Sequence, residues 1–141
     1  MKKFVRIISI ILLLVTIITI PTYALDQEGR ASLYFSSYRA YCYLASSTTL
    51  EVNFTVVGAG VMDEIGASQI LVQQSTDQTN WTTVRTFSRY YDSGMIDTDA
   101  AYHGTTLSCT VDSGHYYRAY VTFYAKRDSG YGEKNYYTEI V

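Results

Sequence analysis

Apolar and polar residues alternate most regularly between Ser113 and Ala125. One parity of this stretch holds the residues Tyr117, Ala119, Val121, Phe123 and Ala125. The other parity holds Tyr116, Arg118, Tyr120, Thr122 and Tyr124. Because successive side chains of a β-strand point to opposite faces, the pattern predicts a central strand with one face in a core and the other near solvent.

A second clear alternation puts four apolar residues on one face, namely Leu50, Val52, Phe54 and Val56. The glycines of Gly58-Ala59-Gly60 are expected to end this strand, and residues 61–66 are interpreted as a connection. The remaining strands are expected at residues 38–44, 68–75, 81–88, 105–111 and 134–141. Residues 90–104 are interpreted as irregular. Short strands at this spacing predict an all-β, two-sheet sandwich of about seven strands.

The N-terminus has the three-part pattern of a secretory signal peptide. Its basic region contains Lys2, Lys3 and Arg6. An uncharged apolar run of 14 residues follows from Ile7 to Ile20, and cleavage is expected between Ala24 and Leu25. An uncleaved anchor is the alternative, but a membrane span needs about 20 apolar residues. We therefore expect a signal peptide at residues 1–24, a loose terminus at 25–30 and one secreted domain at 31–141, without stable membrane insertion.

The expected mature chain is acidic and rich in tyrosine. Removal of the first 24 residues leaves 8 basic and 13 acidic residues, a formal charge of −5. This charge argues against nucleic acid and anionic membrane surfaces as partners, because both favour a basic face. The mature chain also holds 14 of the 15 tyrosines. Since tyrosine is a good strand former, the composition supports the all-β prediction.

The two cysteines, Cys42 and Cys109, lie on the apolar parity of their predicted strands. Disulfides persist in exported proteins, and a bridge here would close a loop of about 67 residues. We therefore predict a Cys42–Cys109 disulfide. The alternative is two separate buried thiols, because the two strands need not be neighbours and a bridge requires Cα atoms within about 7 Å.

The run from Gly114 to Glu133 resembles the last hairpin of fibronectin type III and related immunoglobulin-like modules. The matching residues are Gly114, Tyr117, Ala119, Val121, Ala125, Gly130 and Gly132. The resemblance implies that Tyr117 is a corner tyrosine whose hydroxyl bonds a backbone group.

A second hairpin also resembles secreted bacterial sandwich domains, through the pattern S-x-D…W-x-x-V at Ser75, Asp77, Trp81 and Val84. Trp81 is expected to be a structural core residue, as is Phe54, the large residue of the second strand. Taken whole, the chain is similar to small secreted Gram-positive bacterial proteins that form a family of unknown function. This resemblance implies a fold and a compartment but no activity.

Catalytic chemistry is not indicated. His103 and His115 lie in turn-like settings, and no Gly-x-Ser-x-Gly motif is present. A hydrolase would need a nucleophile with a base in hydrogen-bond reach. Asp92, Asp97 and Asp99 share one loop and could supply oxygen ligands to Ca²⁺, but their spacing does not match an EF-hand loop. We predict no enzyme activity, no metal and no cofactor.

The tyrosines give the best indication of function. The outer parity of two strands provides a candidate binding face of Tyr116, Arg118, Tyr120, Tyr124, Tyr41 and Tyr43. Aromatic residues with an arginine suit protein interfaces, and flat aromatic rows suit stacking on sugars. The alternative is that these rings stabilise the sheet through cross-strand pairs.

Three functional hypotheses follow from these features. The leading one is a secreted, non-catalytic protein that binds an extracellular protein or glycan through its tyrosines. The second is a structural, self-associating cell-envelope protein. A small hydrolase built around His103 or His115 is the third and the least favoured.

Overall fold

The computed structural model describes residues 33–141. The predicted signal peptide at residues 1–24 and the loose terminus at 25–30 lie outside the described residues. The described chain forms the strands β1 (Phe35–Ser46), β2 (Thr49–Ser75), β3 (Thr82–Ser88), β4 (Ile96–Thr110), β5 (Tyr116–Arg127) and β6 (Gly130–Tyr137). The all-β prediction is confirmed. Within residues 33–141, no helix has the length and apolar character to cross a membrane.

One strand, β2, organises the sheet. It runs for 27 residues and pairs antiparallel with β1, β3, β4 and β5, while β6 pairs with β5. Strand β1 and the end of β4 flank residues 49–57 of β2. Further along β2, β5 pairs with residues 64–75 on one edge, and β3 pairs with residues 69–74 on the other.

These pairings divide the sheet into two halves. The first half comprises β1, residues 49–57 of β2 and residues 102–110 of β4. The second half comprises β3, β5, β6, residues 62–75 of β2 and residues 96–100 of β4.

Strand β2 bends between the halves at Gly58 and Gly60. Its register with β4 shifts between Val57 and Met62. The φ angle of Gly60 is +108°, which residues with a Cβ rarely adopt, and a Cβ on Gly58 would lie 2.7 Å from the Gly60 carbonyl oxygen. The prediction that these glycines end a strand is wrong, because they bend a strand that continues.

Two further sequence predictions need correction for related reasons. Residues 61–66, interpreted as a connection, belong to β2. Residues 90–104, interpreted as irregular, become strand from Ile96 because the start of β4 pairs with residues 62–66 of β2. Six strands therefore replace the expected seven.

The two halves pack their inner faces together, so the sheet is curled and open. The ring of Phe54 in the first half lies 6.1 Å from the ring of Phe123 in the second half, and Tyr38 lies 5.2 Å from Phe123. The largest fully buried side chains come from both halves and include Tyr117, Phe54, Phe123, Leu50, Met62 and Ile65. The two separate sheets of the predicted sandwich are not confirmed, because β2 is hydrogen-bonded to strands of both halves.

Strand β5 keeps the parity that the sequence predicts. Its inner residues Tyr117, Ala119, Val121, Phe123 and Ala125 are all fully buried. The last strand begins earlier than expected, at Gly130, and ends at Tyr137. Thr138 and Val141 nevertheless continue along β5, through backbone hydrogen bonds to Ala119 and Tyr117.

The predicted Cys42–Cys109 disulfide is not formed, and both cysteines are free thiols. Cys42 pairs with Val52 from β1, and Cys109 pairs with Leu50 from β4. Because β1 and β4 flank opposite edges of β2, the two cysteines are two strand spacings, roughly 9–10 Å, apart across the sheet, and their two-residue offset along β2 increases this distance. That separation exceeds the Cα distance of about 7 Å that a disulfide tolerates.

Candidate binding face

The six residues of the predicted binding face do not lie on one surface. Tyr41 and Tyr43 lie on the outer face of the first half, where they pair with Asn53 and Glu51. The other four, Tyr116, Arg118, Tyr120 and Tyr124, lie on the outer face of the second half. Since the halves pack by their inner faces, these two outer surfaces point away from each other.

The outer face of the second half has an arginine between two aromatic rings. The guanidinium carbon of Arg118 lies 4.2 Å from the ring centroid of Trp81 and 4.5 Å from that of Tyr137. The Nε of Arg118 donates a 2.8 Å hydrogen bond to the side-chain oxygen of Gln73. We call Trp81, Arg118 and Tyr137 the arginine sandwich. Tyr120 extends it, because its ring lies 4.5 Å from that of Tyr137.

A second cluster lies further along the same face. The guanidinium carbon of Arg89 lies 4.1 Å from the ring of Tyr124 and 4.9 Å from that of Tyr90. Arg89 also forms a 3.2 Å ion pair with Glu64, and Tyr131 stacks on Tyr124 at 5.8 Å. We call Arg89, Tyr90, Tyr124 and Tyr131 the Arg89 cluster. Tyr124 is only 7% exposed, so it supports this cluster from below.

A polar groove of about 470 Å³ lies on the same face, lined by Ser68, Gln69, Ser88, Arg89, Tyr90, Tyr120, Thr122, Glu133 and Asn135. Arg89 and Tyr90 of the Arg89 cluster line it, and Tyr120 connects it to the arginine sandwich through Tyr137. Arg118 and Tyr124 are six residues apart on β5, which corresponds to about 20 Å. The groove carries mainly neutral hydroxyl and amide groups, so it can exchange hydrogen bonds with a polar ligand. The candidate binding face is this groove together with the sandwich and the cluster.

The turn before β3 fixes the position of Trp81. The Asp77 carboxylate accepts backbone hydrogen bonds from Asn80 and Thr79 at 2.8 and 2.9 Å. It also lies 2.9 Å from the Ser75 hydroxyl and accepts a bond from the Asn80 side chain. The hydrogen bonds from Asn80 and Thr79 lower the pKa of Asp77. The Ser75–Asp77 part of the sequence pattern therefore orders the turn that presents Trp81.

The start of β5 is held by Tyr117. Its hydroxyl donates to the backbone carbonyl of Asp112 at 2.6 Å, which is the contact expected of a corner tyrosine. The Gln74 side chain lies 2.9 Å from the same hydroxyl. Burial raises the pKa of Tyr117, so the hydroxyl stays protonated and able to donate. This contact fixes the position from which Arg118 projects.

Tyrosines on the outer face of the first half are arranged more simply. The rings of Tyr41 and Tyr43 stack at 6.1 Å, as neighbours of one parity on β1. The Tyr43 hydroxyl donates to Glu51, and this hydrogen bond raises the pKa of Tyr43. Within residues 33–141, no arginine lies over either ring.

The histidines are held apart from each other. His103 Nε2 lies 2.7 Å from the Gly94 carbonyl oxygen, and His115 Nδ1 lies 3.2 Å from that of Ser113. Neither ring contacts a hydroxyl or thiol side chain among the described hydrogen bonds. Burial raises the pKa of Cys42 and of Cys109, which disfavours the reactive thiolate in both.

The loop aspartates do not converge on one point. Asp92 accepts bonds from Arg85 at 2.7 Å and from the Ser88 backbone at 2.8 Å. Asp97 accepts from the backbone N–H of Thr98 at 2.9 Å. Among residues 33–141, no group of three metal-ligating side chains is close enough to hold an ion.

Sequence reasoning missed part of the face. Trp81 was assigned to the core and is in fact half-buried on the outer face, where it contacts Arg118. Arg89 was not recognised because its position depends on the path of the chain after β3. The parity of β6 could have shown that Tyr137, Asn135 and Glu133 share one face.

Comparisons with known proteins leave the family open. No protein-family model and no curated protein matches the chain. One solved structure, described as "X-ray structure of Northeast Structural Genomics Consortium target SoR45", is similar with a TM-score of 0.46 and 10% sequence identity. The match covers 79% of this chain and 86% of the other. Similarity at this level identifies neither a family nor a function.

Proposed function

We propose that this chain is a secreted, non-catalytic binding protein that engages an extracellular protein or glycan through the candidate binding face. The observation that carries the proposal is the arginine sandwich. Trp81, Arg118 and Tyr137 come from three separate segments of the chain, and the fold brings them into contact with one another. Side chains ordered before binding lose less conformational entropy when a ligand arrives, and such ordering favours affinity.

Secretion and fold type belong to the same proposal. Secretion is supported by the signal-peptide pattern at residues 1–24. Membership of a Gram-positive family with an immunoglobulin-like or fibronectin type III-like sandwich is supported by the sequence patterns around Tyr117 and Trp81. The curled sheet and the hydroxyl contact of Tyr117 with Asp112 are compatible with such a module.

The test compares the two outer faces of the sheet. A double variant that combines Tyr120→Ala with Tyr137→Ala removes two rings from the candidate binding face. Tyr41→Ala with Tyr43→Ala makes the same chemical change on the first half. Tyr124 is unsuitable because it is buried. Each protein is applied to an array of purified polysaccharides and extracellular proteins, and its melting temperature is measured in parallel.

We expect at least one array ligand to bind the unchanged protein and the Tyr41/Tyr43 variant but not the Tyr120/Tyr137 variant. Equal binding by all three proteins would reject the candidate binding face. Mass that rises with concentration in sedimentation, and falls to the monomer in the Tyr120/Tyr137 variant, would favour the self-association hypothesis instead.

A further inference from the structure

We propose that the arginine sandwich binds a carboxylate of an acidic polysaccharide, whose chain then runs along the polar groove. This inference rests on the binding function proposed above and specifies the class of ligand. It combines a charge that has no carboxylate partner within residues 33–141, an arginine held by its neighbours, and a groove lined mainly by neutral polar groups together with Glu133 and Arg89.

Arg118 is held by contacts with three side chains, those of Trp81, Tyr137 and Gln73. The ring centroids of Trp81 and Tyr137 lie 4.2 and 4.5 Å from its guanidinium carbon. The Nε hydrogen is directed to Gln73 at 2.8 Å. Its terminal nitrogens form no hydrogen bond or ion pair within residues 33–141. The four N–H groups of the two terminal nitrogens are therefore available to a ligand.

The other four arginines within residues 33–141 are paired with a carboxylate, bonded to the backbone or without an aromatic neighbour. Arg85 pairs with Asp92 at 2.7 Å, and Arg89 pairs with Glu64 at 3.2 Å. Arg127 donates to backbone carbonyls. Arg39 is exposed on the first half, and no aromatic ring of residues 33–141 lies over it. Arg118 thus combines a fixed orientation with a positive charge that no carboxylate of the described chain neutralises.

The preferred ligand of such an arginine is a planar anion. A guanidinium fork can donate two parallel hydrogen bonds to one carboxylate, and these charge-assisted bonds are shorter and stronger than neutral ones. In a chain with more acidic than basic residues, this site gives an anionic ligand a local point of attraction.

The neighbouring groove favours a polysaccharide over a protein. The centres of protein interfaces are typically apolar, whereas this groove contains hydroxyl and amide groups such as those of Ser68, Gln69, Thr122 and Asn135. A sugar ring offers hydroxyls to these groups and an apolar C–H face to Tyr120 and Tyr137. Sugars that carry carboxylates match both the groove and Arg118.

The experiment titrates the protein with acidic oligosaccharides and follows fluorescence, because Trp81 is the only tryptophan. The probes are oligogalacturonate, oligoalginate and hyaluronan oligosaccharides, each paired with its neutral methyl ester, and polyglutamate as an acidic peptide. The proteins are the unchanged chain, Arg118→Gln, Arg118→Lys and the matched control Arg39→Gln. Circular dichroism and melting temperature establish that each variant is folded.

We expect at least one acidic sugar to bind about tenfold or more tightly than its ester, with an affinity that falls as salt rises. Arg118→Gln should reduce binding of the acid to the level of the ester. Arg118→Lys should give an intermediate affinity, because lysine keeps the charge but not the fork. Arg39→Gln should bind like the unchanged protein.

Equal affinity for acid and ester would overturn the carboxylate site, as would absence of binding to every acidic sugar. If Arg118-dependent binding of polyglutamate is stronger than that of any sugar, the assignment of the ligand as a polysaccharide is wrong. If the esters bind as tightly as the acids, and the double variant Tyr120→Ala with Tyr137→Ala abolishes that binding, the proposed function stays intact while this inference is rejected. Failure of both this titration and the array would reject the two together.

Discussion

The two outer faces of the sheet both carry tyrosines and arginine, but only one brings them into contact. On the first half, Tyr41 and Tyr43 stack as neighbours of a single strand, and Arg39 has no ring over it. On the second half, Trp81 precedes β3, Arg118 lies on β5, and Tyr137 lies on β6.

This difference distinguishes two uses of tyrosine. In the first half the rings accompany strand formation, and in the second half a ring belongs to the candidate binding face. A ring that contacts the next ring of the same strand follows from alternation alone. A contact between three elements requires the fold to place each of them. The second arrangement is the stronger indication of function, because the fold itself holds the groups together.

The largest predicted effect concerns the contact that joins the halves. Phe54→Ala should lower the free energy of unfolding by about 3–5 kcal/mol, because it leaves a cavity beneath Phe123. Phe54→Leu is the control and should cost clearly less. Both are measured by urea denaturation. A loss below about 1 kcal/mol for Phe54→Ala would mean that the halves do not share a core.

A smaller effect distinguishes the tyrosine hydroxyls of the two halves. Tyr117→Phe should cost about 1–2 kcal/mol, because it leaves the Asp112 carbonyl without its donor. Tyr43→Phe removes an exposed contact with Glu51 and should cost clearly less. Equal losses in thermal or urea unfolding would contradict the assignment of Tyr117 as a corner residue.

The smallest effect is a pH dependence confined to the second half. Because the folded-state pKa of Asp77 is lowered, its stabilising contribution is present above the unfolded value of about 3.9 and is lost as pH falls below it. Asp77→Asn should therefore be less stable than the unchanged protein near neutral pH, and the difference should shrink in acid. In the turn between β1 and β2, the backbone N–H of Thr48 donates to the Ser46 hydroxyl. Neither of these side chains titrates in this pH range.

Urea unfolding followed by Trp81 fluorescence at several pH values measures this effect. A stability difference between Asp77→Asn and the unchanged protein that stays constant from neutral pH into acid would contradict the role of the carboxylate. An effect that grows on acidification would contradict the direction of the pKa change.

The parts of the fold that alternation controls could be predicted. The buried parity of β5 and the run from Leu50 to Val56 are as expected, because period-two burial is visible in sequence. Gly58 and Gly60 were misread because a glycine that bends a strand and one that ends it look alike in sequence. The cysteines were both placed inward correctly, but their separation depends on which edge of β2 each strand occupies.

The candidate site was predictable only where it depends on one strand. Tyr116, Arg118 and Tyr120 share an outer face, as their parity indicates. Parity could not show whether these residues share a surface with Tyr41 and Tyr43. Alternation gives the side of a strand that a residue occupies, but it does not give the direction in which that part of the sheet faces. The contact between Arg118 and Trp81 depends on the turn before β3.

The continuous path of β2 through both halves has a consequence for the order in which the chain emerges during synthesis. β1 and β2 can pair as a hairpin once residue 57 is available, and β3 can pair as soon as residue 88 follows. The edge of residues 64–75 that β5 occupies stays open until residues 116–126 emerge. This part of β2 contains Ile65, Ile70 and Val72. Until β5 is synthesised, the nascent chain therefore exposes an unpaired apolar strand edge of the kind that aggregates.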